Sequence, residues 1–148
     1  MDKEIVSSSA EETVLLGKQF AKESLHSGSL VLLRGDLGAG KTQFAKGIAK
    51  IFGLHEEDIS SPTYSLVNEY DISSGGIKKL FHLDCFRFEK PEELIELGVE
   101  EYLYPKDAVT IIEWPERIEA FLPAQRVEVL IEILSQDKRR ISIRDLQT

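Results

Sequence analysis

The chain has one cysteine, one methionine and one tryptophan, so Cys85 has no partner for an internal disulfide. That usage fits a reducing compartment and excludes a disulfide-built scaffold. Long hydrophobic runs are also missing: the longest unbroken apolar stretch is four residues, 30–33, where a membrane-spanning helix needs about 20. The first residues (Met1, Asp2, Lys3, Glu4) show no basic segment followed by an apolar one, so the expectation is a cytoplasmic protein with no membrane partner. Basic charge is in deficit. Eighteen Lys+Arg face 26 Asp+Glu, for a net charge of −8, and the pI is near 4.9. Such a balance argues against a protein that grips a nucleic-acid backbone by itself.

No repeat, low-complexity tract or Pro/Gly-rich linker divides the chain, and its 148 residues read as one domain, 1–148, large enough for a core without staples. The charge is uneven. Residues 1–54 carry seven basic and six acidic side chains, and residues 55–148 carry eleven and twenty. The densest acidic stretch, 89–101, has six glutamates and one lysine; it reads either as a solvated helix face or as a landing place for a basic partner.

Elements alternate along the sequence. A short strand over 4–7 precedes a helix opened by Ser9 and Glu12 in capping-box spacing, with Gly28 as its stop. Residues 30–33 form a strand buried on both faces. A second helix spans 41–52, and two strands, 64–72 and 77–83, flank Ser73, Ser74, Gly75 and Gly76 as a hairpin. A helix starting at Pro91 is interrupted by Gly98, 109–112 is another buried strand, and 127–134 with 139–144 form a second hairpin. The fold class expected is α/β: a central mixed sheet of the P-loop NTPase kind, partly parallel, with antiparallel hairpin additions and flanking helices.

Gly35, Asp36, Leu37, Gly38, Ala39, Gly40, Lys41 and Thr42 complete the G-x-x-x-x-G-K-[ST] phosphate loop. Its place between an apolar strand and an amphipathic helix is the context that confirms such a match. Glycines let successive N–H groups converge on phosphate oxygens, and the helix adds its positive end. In such a loop Lys41 supplies a point charge for the β and γ phosphates of ATP, and Thr42 offers a hydroxyl to Mg²⁺. The net negative charge does not oppose this, because exposed charges beyond a Debye length of about 8 Å are screened.

Asp84 and Glu113 each end a strand, where α/β sheets place their ligands. One can hold the metal and the other can orient or deprotonate the attacking water; either is equally a turn residue. Thr63, in the Ser61, Pro62, Thr63 loop, is a candidate nucleotide sensor or part of a plain proline turn. His82 reads as packed or exposed rather than catalytic. Trp114 either walls the site or caps the sheet, and Cys85 lacks a histidine pattern for a nucleophile. Lys138, Arg139, Arg140 and Arg144 can touch a nucleotide or a partner, or serve as solvent charge.

Four segments together resemble the TsaE (YjeE) family of small bacterial P-loop ATPases: GDLGAGKT (35–42), SPTYSLVNEY (61–70), HLDCFR (82–87) and IEWPER (112–117). The resemblance implies ATP hydrolysis in support of a TsaB–TsaD assembly that installs threonylcarbamoyl on adenosine in tRNA, with tRNA reached only through that complex. It also implies Thr42 and Glu113 as Mg²⁺ ligands, Asp84 as needed for activity, and turnover that is weak or partner-regulated; with Lys41 of the loop, Asp84 and Glu113 are the candidate catalytic residues. Two other functions use the same loop. A small-molecule kinase needs an acceptor pocket and an arginine-bearing lid, whereas this chain spends that length on hairpins. A GTPase switch needs N-K-x-D, and Asn68, Glu69, Tyr70, Asp71 is not one. The number of copies in the assembly is not encoded in any of these motifs.

Overall fold

A computed structural model describes residues 2–59, 67–90 and 92–147. Along the chain run β1 (Asp2–Ser7), α1 (Ala10–Ser24), β2 (Leu30–Arg34), α2 (Lys41–Ile51), β3 (Val67–Ser74), β4 (Ile77–Asp84), α3 (Glu92–Glu96), α4 (Glu100–Leu103), β5 (Ala108–Glu113), β6 (Val127–Ile133) and β7 (Arg139–Asp145). Short 3₁₀ turns lie at Glu56–Asp58 and Pro115–Phe121. Among the described residues seven strands form one sheet in the order β1-β7-β6-β2-β5-β4-β3. The inner four, β6, β2, β5 and β4, are mutually parallel. The outer pairings are antiparallel, so the expected mixed sheet with hairpin additions is what forms.

The apolar runs take the middle because only there does a strand need apolar side chains on both faces. Leu30, Val31, Leu32 and Leu33 are all buried, and they alternate between two cores. Val31 and Leu33 meet Phe20, Phe44 and Ile48 of α1 and α2 on one face. Leu30 and Leu32 meet Phe81, Leu103 and Ile118 on the other. Ser9 caps α1 by accepting the Glu12 N–H at 3.0 Å, as its spacing predicts. That helix ends earlier than Gly28, at Ser24, with Leu25 extended. The Ser29 hydroxyl accepts the His26 N–H at 3.0 Å and turns the chain there. Gly28 belongs to this turn, its own N–H bonded to Ala108 O at 2.9 Å.

Helices α1 and α2 meet backbone to backbone at two glycines. A Cβ on Gly17 would overlap the carbonyl oxygen of Phe44, and one on Gly47 would overlap that of Val14. Because both obstacles are helix backbone, neither can step aside. Gly47→Ala is therefore expected to lower unfolding stability by roughly 1–3 kcal/mol, the usual cost of overpacking, even though alanine is the better helix former. Urea denaturation followed by circular dichroism checks this; an unchanged or raised midpoint would contradict the close contact.

Candidate active site

The site begins at the carboxyl end of β2. Its parallel neighbour β5 places Glu113 opposite Leu33, and β4 in turn places Asp84 opposite Glu113. Three adjacent parallel strands thus bring the phosphate loop and both acids to one end of the sheet, where ligands of open α/β folds bind. Gly35 leaves β2 with φ 153°, and a Cβ there would lie 2.5 Å from Ile131 O, so side chains are excluded where the loop crosses β6. Gly40 enters α2 in the left-handed conformation at φ 109°, a region that favours glycine.

No side chain caps α2, and its first turn carries no acidic residue. The leading N–H groups and the positive helix end are left for an anion from outside the loop. Lys41 stands among them, buried at 5% exposure. Its Nζ donates to Gly35 O at 2.5 Å and sits 3.5 Å from the centroid of the Trp114 ring. Burial holds the ammonium below the usual lysine range, while Glu113, Glu116, Asp84 and Asp36 pull it the other way. A desolvated cation beside an uncapped helix start is matched by a phosphate oxygen better than by the carbonyl it now contacts.

Both acids are nearly buried, Asp84 at 8% and Glu113 at 3% exposure. Asp84 Oδ1 accepts the Phe86 N–H at 2.9 Å. Glu113 Oε2 lies 2.6 Å from His82 Nε2. With Thr42, the phosphate loop and the two acids line a cleft of about 540 Å³. Its further walls are Ser9, which caps α1, Ala10 and Thr13 of that helix, and Gln136, Asp137 and Arg139 of the β6–β7 hairpin.

The predicted constellation of Lys41, Thr42, Asp84 and Glu113 is therefore brought together. Trp114 walls the site: held left-handed at φ 58°, it packs against Phe86 at 4.8 Å between ring centroids while its ring receives Lys41. Within the basic cluster Arg139 is singled out, because it donates to Ala39 O at 2.9 Å and Gly38 O at 3.3 Å and so clasps the phosphate loop. Arg140 instead pairs with Glu132. Cys85 is buried and its thiol is pushed up to about 12 by burial, with Asp84 and Glu116 adding to the shift; the protonated form it keeps is not a nucleophile. Ser61, Pro62 and Thr63 lie outside the described residues. The glutamates of α3 and α4 are exposed and away from the cleft.

Sequence reasoning missed the His82–Glu113 bond and the grip of Arg139 on the loop. A signal for the first existed: a histidine sharing strand parity with Asp84 must lie on the same face. For Arg139 there was none, since about a hundred residues separate it from Ala39.

A parallel strand running into a glycine-rich turn and an uncapped helix, with acids on the adjoining strand ends, defines the phosphate-loop class of α/β domains. Residues 7–141 match the family model described as Threonylcarbamoyl adenosine biosynthesis protein TsaE. The chain belongs to that family, whose members serve tRNA threonylcarbamoyladenosine biosynthesis. The TsaE protein of Rickettsia bellii is 39% identical over 143 residues, covering 97% of this chain and 95% of its own length. That of Treponema pallidum is 37% identical, covering 93% and 97%. The crystal structure of YdiB from Bacillus subtilis superposes with a TM-score of 0.77 at 30% identity, over 99% of this chain and 86% of that one. Among the described residues no helix is long and apolar enough to cross a membrane.

Proposed function

We propose that this protein is a Mg²⁺-dependent ATPase whose nucleotide cycle drives the TsaB–TsaD complex in threonylcarbamoyladenosine modification of tRNA, in the cytoplasm. The observation that supports it most is the meeting of a complete phosphate loop with two register-matched acids at one sheet end. The loop N–H groups and Lys41 bind the phosphates of ATP; Asp84 and Glu113 face the γ-phosphate end. Among the described residues no group of three or more His, Cys, Asp or Glu side chains could hold a metal alone. The oxygen donors that line the cleft, Thr42, Asp84 and Glu113, suit Mg²⁺, which would arrive with nucleotide phosphates and needs only one or two protein oxygens, here Thr42 and Glu113. When bound, the ion neutralises charge on the phosphates. The contact with tRNA is indirect, in keeping with the acidic balance.

The test is release of inorganic phosphate from γ-labelled ATP by the purified protein with TsaB, TsaD and Mg²⁺. Phosphate in water supports the reading. Label appearing on an added metabolite would support a small-molecule kinase instead, and no turnover would sink both.

Arg139 adds a prediction. By holding the Gly38 and Ala39 carbonyls it fixes the loop shape in which neighbouring N–H groups would meet the phosphates. Arg139→Ala is expected to weaken ADP binding by about tenfold, because both guanidinium bonds that hold the loop carbonyls are lost. Arg139→Lys should not recover it, because an ammonium lacks the planar fork that spans two carbonyls. Calorimetric titration with ADP reads both values.

A further inference from the structure

We propose that His82 is a positioning residue that fixes the Glu113 carboxylate for ATP hydrolysis; the proposal rests on the ATPase reading above. His82 on β4 pairs with Ile111 on β5, two residues before Glu113. Alternation along both strands places Leu80, His82 and Asp84 on the face shared with Val109, Ile111 and Glu113. Leu80, Val109 and Ile111 belong to the apolar core under α1 and α2. An apolar side chain at position 82 would continue that core without desolvating an imidazole.

Instead the ring is 1% exposed and the Glu113 side chain 4%, with Nε2 and Oε2 2.6 Å apart. An ionised carboxylate only accepts, so the bond assigns the proton to Nε2. It commits Oε2 to the strand layer, so Glu113 serves the cleft through Oε1 in a single rotamer. A glutamate has three rotatable side-chain bonds, and tying down one oxygen removes most of their freedom before substrate arrives.

A second reading makes the pair a structural tie. The two separate on a conservative variant, because the side-chain amide introduced by His82→Gln can place an N–H near the position of Nε2, whereas leucine fills the volume and donates nothing. Three measurements on the full chain are compared for wild type, His82→Leu and His82→Gln: ADP affinity, kcat for Mg-ATP hydrolysis with TsaB and TsaD, and the imidazole N–H resonances of the nitrogen-15-labelled protein.

The expected result is that His82→Leu lowers kcat at least tenfold and changes ADP affinity by less than about threefold, and that His82→Gln recovers most of the loss. The His82 Nε2–H should give a slowly exchanging downfield resonance that moves in Glu113→Gln. An unchanged kcat in His82→Leu overturns the proposal, as does a parallel loss of ADP binding and kcat, or a glutamine variant as impaired as leucine. A resonance indifferent to Glu113→Gln overturns it whether or not the protein hydrolyses ATP. Absence of turnover in the wild type alone would overturn the ATPase reading and with it the role given to His82, while the resonance still reports whether the bond exists.

Discussion

Glu113→Gln is expected to reduce ATP turnover by about 10²–10³-fold, within the range that proton transfer and charge stabilisation contribute, while ADP affinity shifts by less than about threefold. The separation follows from where the residue stands. Glu113 is the last residue of β5, beside the end of β2 rather than in the phosphate loop proposed to hold the nucleotide. Glutamine keeps the size of the side chain and an oxygen for the His82 N–H, but it cannot carry the negative charge needed by an ion or by a water losing its proton. Steady-state phosphate release and calorimetric ADP binding, measured on the same preparation, separate the two effects. Equal losses in both would place Glu113 in binding, and wild-type hydrolysis would remove it from the site.

Lys41→Met is expected to weaken nucleotide binding by about 10²–10³-fold, since removing one member of a buried, hydrogen-bonded charge pair costs roughly 2–5 kcal/mol. Methionine keeps an apolar stem against Trp114, so the change isolates the charge. The desolvation that lowers the Lys41 pKa means that the ammonium is costly to hold in the unliganded protein. Without that charge the fold should lose little stability or none. Thermal unfolding of the unliganded variant checks this half of the prediction and ADP titration the other. Tight binding by the variant would show that the loop N–H groups suffice without Lys41. A large fall in melting temperature would show that the lysine serves the fold.

The parts of this site that could be read in the sequence are those with local causes. The loop is legible because glycine spacing and a following helix dictate its geometry within eight residues. Asp84 and Glu113 are legible as strand ends because an apolar run stops at each. What joins them is not local. The sheet order that sets β5 beside β2 and β4 beside β5 depends on crossovers whose outcome no short pattern records. Strand parity puts His82 on the face of Asp84, but the 2.6 Å contact of its ring with Glu113 depends on this strand order.

Trp114 shows a different limit. Its left-handed backbone and the 3₁₀ turn that follows at Pro115–Phe121 belong to a tryptophan–proline step that propensity reads only as a boundary. The side chain's choice between sheet cap and site wall was decided by Lys41 and Phe86, which reach it from other elements. Boundaries moved for similar reasons. The first hairpin extends its strand through Ser74, because two glycines alone suffice for the turn.

Under the proposed function, ATP bound at this loop controls engagement with the TsaB–TsaD complex. A pull-down of TsaB and TsaD by the tagged protein, with ATP, with ADP and without nucleotide, tests it most directly. Capture is predicted to differ between ATP and ADP by at least about tenfold, and Lys41→Met to make it independent of nucleotide. Equal capture in all three conditions, or none, would contradict it.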